Sequence, residues 1–411
     1  MIRFVLVGLG ARSRIWLRVL GEHPSCSVVG FVETDPERLA AASEASPGAA
    51  IGSTLADVLD RVEADVALLC TPPSGRHEQI AAACSAGTAI LAEKPLADTV
   101  ADAEAYVATA AEAGVPLAVG LNFRYLGVTR ALKELFAPDR LGPPEFGRFT
   151  YERWRDGRLP HLNTYPLTMQ QPMLWEQSIH HFDLMRFVYD AEPIRISART
   201  FNPSWSMYDG DANVGALIGF TDGIEVTYQG TWAGNWQRMG FEWRTECRKG
   251  VALQRDMFGD LHYARREDDE LTTVTLPAEE PWVDDARSLL ADFVDHLDGN
   301  GPLPCSGDHP PMNHLPMRIR SGLCLLALAL TMAACAQRDD DTIVVGLSAD
   351  ITTFEPGMIS SRDNANIALS IYIEAPPSAV FRTLIDPEQI QKWFGVPAAV
   401  DPRARGDWHL K

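Results

Sequence analysis

The sequence lacks any pair of cysteines at the spacing of a metal site or a redox motif. Its seven cysteines are dispersed, at positions 26, 70, 84, 247, 305, 324 and 335. An odd, scattered set is typical of free thiols in a reducing compartment, and not of a disulfide framework or a zinc site. We therefore expect a cytoplasmic protein that holds no metal.

The sequence also lacks an apolar run long enough to cross a bilayer as a helix. The longest run, Leu323–Ala334, has about a dozen residues, whereas a membrane-spanning helix needs about 20. Positive charge is scarce as well. The chain has 36 basic and 55 acidic residues, which give a net charge of −19. Nucleic acids and anionic membranes are polyanions, so we expect neither to be a partner.

Apolar runs alternate with helical patterns over the first 120 or so residues, and this alternation predicts an α/β fold with a parallel sheet covered on both faces. The predicted helices are Asp35–Ser46, His77–Ala86 and Asp98–Ala113. The predicted strands are Arg3–Val7, Val28–Glu33, Asp65–Cys70, Ala89–Ala92 and Pro116–Gly120.

The first turn between strand and helix reads GLGARS, residues 8–13. Its two glycines permit a tight turn and a close approach of the backbone to a pyrophosphate, which the next helix would bind at its N-terminus. A small serine stands where the usual fingerprint has a third glycine. A GxG pair alone often marks only a tight loop, but the strand before it and the helix after it favour dinucleotide binding. The cofactor-binding candidates here are Gly8, Gly10, Ala11, Arg12 and Ser13.

The second predicted strand ends in Glu33, about 20 residues beyond the turn. A carboxylate at this point accepts hydrogen bonds from the adenosine ribose and repels a 2′-phosphate, which favours NAD over NADP. The residues that follow, Asp35-Pro36-Glu37, also fit an ordinary helix start with a capping Asp and Pro at the first position. Both interpretations hold together because they use different residues.

Two further motifs follow later strands, TPPSGRH at 71–77 and AEKP at 92–95. Ligands bind at the carboxyl edge of such sheets, where both motifs would lie. A lone lysine is most often a solvated charge, but Lys94 is fixed beside Pro95 at a strand end, which favours a functional role. The remaining cofactor-binding candidates are Thr71, Pro72, His77, Glu93 and Lys94.

These three motifs, at these separations, resemble those of the Gfo/Idh/MocA oxidoreductases over residues 1–308. The resemblance implies a Rossmann domain at 1–121, followed by an α+β domain at 122–308 whose open, largely antiparallel sheet carries the substrate. Alternating residues agree with such a sheet, and Thr221-Asp222-Gly223 is a hairpin signal between two of its strands. The predicted strands are Gly147–Trp154, Arg195–Phe201, Gly215–Phe220, Ile224–Trp232 and Phe241–Cys247.

The second domain contains a helical segment around WEQSIHHFDL, residues 175–184. Glu176 and His180 are four apart and share one helix face, and Asp183 lies on nearly the same face. Alone, this pattern is typical of a surface helix with an ordinary acid–histidine pair. Beside the Lys94 motif, it resembles the catalytic segment of the family.

The resemblance assigns roles for oxidising a secondary alcohol. His180 would take the hydroxyl proton, since histidine titrates near neutral pH. Lys94 would stabilise negative charge on the oxygen. Glu176 would fix the tautomer of the histidine and raise its basicity. Many family members have Asp where this chain has Glu176.

Several polar and aromatic residues lie near these segments and are candidates to contact substrate. Arg124 would bind a substrate or cofactor, or equally tie the two domains together. A set before the catalytic segment would offer stacking and hydroxyl-binding groups to a sugar-like molecule, or form buried packing and a turn. This set comprises Trp154, Arg155, His161, Asn163 and Tyr165.

The C-terminal part does not continue the family pattern. Met317–Cys335 has the layout of a bacterial lipoprotein export signal, and residues 341–368 resemble the mature start of peptide-binding lipoproteins of ABC importers. Residues 369–411 resemble the opening of an SRPBCC (START-like) domain. We divide this part into a linker at 309–368 and a partial domain at 369–411. We expect both to be functionally silent, with 318–337 docking in place of the family's closing helix.

Three hypotheses follow for the whole chain. The first is an NAD- or NADP-dependent dehydrogenase acting on the secondary alcohol of a sugar, polyol or inositol-like molecule. The second is a lipid-anchored solute-binding fragment of an importer, and the third is a nucleotide-binding member of the family that has lost activity. An open sheet face left bare is an apolar liability, so we expect a homo-oligomer.

Overall fold

The computed structural model describes residues 1–306, except 156, 160, 161 and 163, and the backbone of two short strands further along the chain. The chain divides into two compact units, Met1–Ala336 and Gln337–Lys411. In the second unit, Ala398–Val400 pairs antiparallel with Trp408–Leu410. The predictions for His161, for Asn163 and for the rest of 309–411 lie outside the described residues.

The first sheet has six parallel strands in the order β3-β2-β1-β4-β5-β6. This is the order of a doubly wound dinucleotide-binding fold, as the sequence predicted. Its central strands are buried runs of apolar residues because helices cover both faces. The strands are β1 (Ile2–Val7), β2 (Cys26–Val32), β3 (Ala50–Gly52), β4 (Val66–Leu69), β5 (Ala89–Ala92) and β6 (Leu117–Val119).

Five helices connect these strands, and their starts follow the local chemistry of the sequence. The carboxylate of Asp35 accepts hydrogen bonds from the backbone N–H groups of Glu37 and Arg38, which confirms the predicted cap. The short third helix and β3 were not predicted. The helices are α1 (Ala11–Glu22), α2 (Pro36–Ala45), α3 (Leu55–Leu59), α4 (Arg76–Ser85) and α5 (Val100–Glu112).

The second sheet has eight strands in the order β14-β13-β12-β11-β7-β10-β9-β8. It is antiparallel except between β7 and β10, which run parallel. Asp222 and Gly223 have φ values of 63° and 80° in the turn between β9 and β10, which confirms the hairpin signal. The strands are β7 (Pro144–Glu152), β8 (Pro193–Phe201), β9 (Asn213–Phe220), β10 (Glu225–Thr231), β11 (Gly240–Cys247), β12 (Gly250–Asp256), β13 (Gly259–Arg265) and β14 (Thr272–Thr273).

Three more helices complete the fold: α6 (Gly127–Leu135), α7 (Ile179–Tyr189) and α8 (Asp284–Leu297). The helices α6 and α7 pack on the second sheet. The helix α8 belongs by position to the predicted second domain, yet Leu289 and Phe293 pack with Phe4 and Trp16 of the first sheet and α1. The chain therefore returns to its N-terminal part, and the division at residue 121 stays a prediction.

Candidate active site

The glycine turn after β1 has the geometry of a phosphate-binding loop. Gly8 has a φ of +86°, and a Cβ there would lie 3.0 Å from Cγ2 of Thr71. Backbone conformation and close packing thus both require glycine. A Cβ on Gly10 would meet nothing within 4 Å. No side chain of the described residues caps α1, so its first N–H groups are available to an anion.

Side-chain contacts of Ser13 and Arg12 fix the first turn of α1. The Ser13 hydroxyl is buried and donates to the Gly10 carbonyl at 2.7 Å, so this small residue keeps the turn against the helix. Arg12 Nε lies 2.5 Å from a carboxylate oxygen of Glu93, at the end of β5. That oxygen also accepts from the Trp16 indole at 2.7 Å. Burial opposes ionisation, but these two donors hold the pKa of Glu93 below its ordinary value.

Glu33 lies directly after β2 and faces the glycine turn. Its carboxylate accepts from the backbone N–H of Leu9 at 2.7 Å and of Thr34 at 2.8 Å. Partial burial raises the pKa, but the backbone donors outweigh it and leave the pKa of Glu33 lowered. Glu33 is therefore an anion beside the turn, at the position where the sequence predicted a ribose-binding carboxylate.

The loop after β4 carries the TPPSGRH motif. Thr71 packs against Gly8, and its hydroxyl donates to the amide oxygen of Gln79 at 2.8 Å. Pro72 and His77 are exposed, and the imidazole centroid lies 6.1 Å from the ring of Tyr106. The loop therefore flanks the glycine turn, while cofactor contacts by Pro72 and His77 stay predictions.

Arg76, in the same motif, is a positioning residue whose role the sequence pattern did not reveal. Its guanidinium is buried and donates to the carbonyls of Glu93, Pro95 and Thr71. Burial lowers the pKa of Arg76 to about 10, so it stays charged at neutral pH. Arg76 thus joins the ends of β4 and β5 on either side of Lys94. The signal in the sequence that could have identified Arg76 is its place in a motif that directly follows a strand.

Lys94 meets the predicted catalytic segment across 82 residues of sequence. Its ammonium donates to the backbone carbonyl of Glu176 at 2.9 Å and lies 3.3 Å from the Glu176 carboxylate. Glu176 belongs to a π-helical turn, Leu174–Ser178, directly before α7. Such widened turns are frequent at functional sites. Burial and then the Glu176 carboxylate raise the pKa of Tyr165.

His180, the second residue of α7, has a buried imidazole. It stacks on Phe123 with ring centroids 4.1 Å apart, and its Nδ1 has no hydrogen-bond partner among the described residues. Burial and then the Lys94 ammonium lower the pKa of His180 well below 6.5. The expectation that Glu176 pairs with His180 and raises its basicity is wrong in this structure, because the glutamate takes the cation instead.

The next residue, His181, is structural. One ring nitrogen contacts the hydroxyl of Tyr228 at 2.8 Å and the other contacts the amide nitrogen of Gln177 at 3.0 Å. Tyr228 donates onward to Ser178, so His181 donates to Tyr228 and accepts from Gln177 as a neutral ring. All of α7 except Phe187 is buried, so the alternative of a surface helix is wrong.

Arg124 ties the segment after β6 to α7. Its Nε donates to a carboxylate oxygen of Asp183 at 2.8 Å, and a second guanidinium nitrogen pairs with the other oxygen. The Asp183 side chain is 1% exposed and that of Arg124 is 12% exposed. Both partners lie in the predicted second domain, so the alternative that Arg124 ties the two domains together stays a prediction. The substrate role of Arg124 stays a prediction.

The aromatic candidates Trp154 and Tyr165 are partly exposed. Trp154 forms an isolated bridge with Ala233 after the ends of β7 and β10 and is 38% exposed, and Tyr165 begins the short helix Tyr165–Thr168 and is 45% exposed. Stacking of a substrate on these rings stays a prediction. Within the described part of the chain, no cluster of three or more His, Cys, Asp or Glu residues fits a metal ion. No helix there combines the length and hydrophobicity that a membrane crossing requires.

Comparisons with known proteins agree with this architecture. Residues 2–121 match the Gfo/Idh/MocA oxidoreductase family with an NAD-binding Rossmann fold, and residues 129–252 match a C-terminal domain of the same family. One relative is 1,5-anhydro-D-fructose reductase of Ensifer adhaerens, 27% identical over 59% of this chain and 73% of the relative. Another is D-apiose dehydrogenase of Paraburkholderia graminis, 29% identical over 47% and 51%.

The chain thus spans about half to three quarters of the length of these curated relatives. A crystal structure of an oxidoreductase from Agrobacterium radiobacter, in complex with NAD+, L-tartaric acid and magnesium, has the same fold. It superposes with a TM-score of 0.70 at 18% identity and covers 82% of this chain and 96% of its own. The domain matches and the strand order together show that this chain belongs to the Gfo/Idh/MocA family of oxidoreductases.

Proposed function

We propose that the chain is an NAD-dependent oxidoreductase that acts on a secondary alcohol, or the matching carbonyl, of a sugar, polyol or inositol-like molecule. One observation carries the proposal. Lys94, at the end of a Rossmann strand, contacts Glu176, which lies four residues before His180 at the start of α7. The family and the relatives named above support the reaction class.

The residues around the glycine turn fit NAD. The open space above Gly10, the uncapped start of α1 and the anionic Glu33 match a pyrophosphate and a ribose with free hydroxyls. When bound, the nicotinamide ring of NAD accepts the hydride from the carbinol carbon. A 2′-phosphate would face the Glu33 carboxylate, so NAD is the expected form and NADP the alternative.

The chain's own side chains then handle the proton and the charge on oxygen. The lowered pKa of His180 keeps its imidazole neutral at pH 7, and the unpaired Nδ1 has a lone pair or a proton to offer. We assign proton transfer from the substrate hydroxyl to His180. The Lys94 ammonium, held by Glu176, stabilises negative charge that develops on the same oxygen. Trp154, Tyr165 and Arg124 are assigned to the substrate side.

Two measurements test the function in sequence. The full chain is titrated with NAD and with NADP while tryptophan fluorescence is followed, and NADH formation is then screened against inositols, aldoses and lactones. We expect NAD to bind more tightly and at least one polyhydroxy substrate to be oxidised. Binding without turnover would support a catalytically inactive family member, and absence of binding would overturn the proposal.

The importer alternative is not favoured. Both family matches are to oxidoreductase domains and fall in the first 252 residues. Within the described part all five cysteines are free, which supports a cytoplasmic location.

A homo-oligomer is part of the proposal. Phe146, Ile194 and Leu217 are between 47% and 68% exposed on strands of the second sheet, and a second copy would cover them. Sedimentation of the full chain should therefore show a species larger than the monomer, and a monomer at micromolar concentration would contradict this part.

A further inference from the structure

Arg155 is held by its backbone at the end of β7. Its N–H donates to the carbonyl of Trp232 at 3.0 Å, and its own carbonyl accepts from the Tyr208 hydroxyl at 2.6 Å. These bonds join the residue to the ends of β7 and β10. The side chain therefore starts from a fixed point beside the aromatic candidates of the substrate side.

The guanidinium of Arg155 stacks on Trp232 and forms no ion pair with the residues that the structure describes. Its Cζ lies 4.3 Å from the centroid of the indole. Its Nη1 is buried and has no hydrogen-bond partner in the described part of the chain, and neither has the buried indole nitrogen of Trp232. By contrast, Arg12 and Arg124 each pair with a carboxylate. Two unsatisfied donors on stacked side chains are costly unless a ligand accepts from them.

Arg155 lies beside the short helix that carries Tyr165. A Cβ on Gly157 would be 3.7 Å from Nη1 of Arg155 and 3.1 Å from Leu167, which belongs to the helix Tyr165–Thr168. The Glu176 carboxylate, which pairs with Lys94, raises the pKa of Tyr165 and the positive charge of Arg155 opposes this rise. The guanidinium is thus close to a residue that is assigned to the substrate side.

We propose that Arg155, with the Trp232 indole, binds a carboxylate on the substrate, so that the substrate class is a sugar acid or polyol acid. This deepens the proposed function and rests on it. A planar guanidinium offers paired donors that match a carboxylate, and the indole N–H supplies a further donor. A neutral sugar offers hydroxyl oxygens but no negative charge to pair with the arginine.

The first test compares neutral and carboxylated ligands on the full chain loaded with NADH, where these ligands are not oxidised and binding alone is measured. Calorimetry is run with D-glucuronate, D-galacturonate and D-gluconate, and with D-glucose and D-galactose as neutral counterparts. We expect at least one carboxylate to bind about 10-fold or more tightly than its neutral counterpart. Equal or weaker binding of all three acids would overturn the proposal, and tighter binding of D-glucose 6-phosphate would reassign the group to a phosphate.

The second test uses Arg155→Gln, Arg155→Lys and the control Arg255→Gln. Arg255 is exposed at the end of β12 and has no ion pair in the described part of the chain. We expect Arg155→Gln to weaken carboxylate binding by about 10- to 100-fold while NADH binding stays unchanged. The lysine variant should recover part of the loss, and the control should match the parent chain.

Failure of this inference is distinct from failure of the proposed function. Oxidation of neutral polyols that is insensitive to Arg155→Gln would overturn the carboxylate assignment and leave the oxidoreductase intact. Loss of NADH binding in the parent chain would instead overturn the proposed function. Equal weakening of neutral and carboxylated ligands by Arg155→Gln would show that the arginine serves only to hold the loop, which also contradicts the inference.

Discussion

At the scale of single residues, two charged side chains, Arg76 and Glu176, fix the position of Lys94. Arg76 fixes the backbone on either side of the lysine through the carbonyls of Glu93 and Pro95. Glu176 then holds the ammonium from the opposite side. An amine kept in place before substrate arrives costs little reorganisation during reaction, which is the condition for effective electrostatic stabilisation.

Replacing Lys94 by Met tests this role. We expect Lys94→Met to lower kcat by about 100- to 1,000-fold, because a preorganised donor to the reacting oxygen is lost. Affinity for NAD should stay nearly unchanged, as seen by fluorescence titration. The exposed Lys249, which donates to the Pro138 carbonyl far along the second sheet, gives the control Lys249→Met. An equal fall in both variants would contradict a specific role for Lys94.

Replacing Glu33 by Gln tests the cofactor preference. The substitution removes the carboxylate that would repel a 2′-phosphate, and it releases Arg38, whose guanidinium lies 3.9 Å from that carboxylate. We expect the Kd for NAD to rise about 5- to 20-fold and the Kd for NADP to fall, both measured by titration. Glu37→Gln, exposed on α2, is the matched control. An unchanged ratio of the two Kd values would exclude Glu33 from selection.

Local chemistry made some residues of the site predictable from sequence, and distant contacts hid the rest. Gly8 and Glu33 follow from strand, turn and helix within one stretch of chain, and their geometry fits the predicted roles. The partner of Glu176 was mispredicted because spacing on a helix shows only neighbours three or four residues away. Lys94, which lies 82 residues earlier in the chain, pairs with this carboxylate because its ammonium carries the opposite charge.

At the scale of elements, the pair of Arg124 and Asp183 joins α7 to the short helix Asn122–Tyr125 that follows β6. Both side chains are largely buried, so neither charge has bulk water as an alternative partner. Breaking such a pair from one side leaves an uncompensated charge in the interior. The pair therefore holds α7, which carries His180 three residues before Asp183, against the segment after β6.

Removing Arg124 should show this dependence. We expect Arg124→Met to lower the free energy of unfolding by about 3–5 kcal/mol, because Asp183 remains buried without its partner. The double variant Arg124→Met, Asp183→Asn should recover part of that loss in urea denaturation. Arg130→Met is the control, since its exposed cation–π contact with Tyr125 is worth about 1 kcal/mol or less. A selective rise in KM with unchanged stability would favour the substrate role instead.

Some helices and strands were predictable from their own sequences and others were not. The predicted strands of both sheets match the observed ones within a few residues. The spacing of apolar residues and the turn residues that end a strand are local features of the sequence. The helix α8 and the strands β12–β14 were missed. In α8, the buried residues Leu289, Leu290 and Phe293 pack on the first sheet, more than 150 residues earlier in the chain, a partnership that no local pattern contains.

At the scale of the whole molecule, burial of two adjacent neutral imidazoles links stability to pH. Burial lowers the pKa of His181 to about 3, and burial with the Lys94 ammonium lowers the pKa of His180 well below 6.5. Unfolding restores both to the ordinary value near 6.5. Below that pH the unfolded chain binds protons that the folded chain does not, so stability that is complete above pH 6.5 is lost as the pH falls.

The free energy of unfolding, measured in urea between pH 7 and pH 5, should therefore fall on acidification by up to about 1.4 kcal/mol per pH unit for each buried histidine. Carboxylates whose pKa is lowered on folding add to the slope near pH 5, but they add equally in the parent chain and in the histidine variants. In His181→Gln, an amide still bonds to Tyr228 and Gln177 but does not titrate, and the slope should drop by one histidine's share. The exposed His77 gives the control His77→Gln, which should keep the parent slope. An unchanged slope in His181→Gln would mean that this imidazole is protonated in the folded chain, and the hydrogen-bond directions assigned to it would have to be reversed.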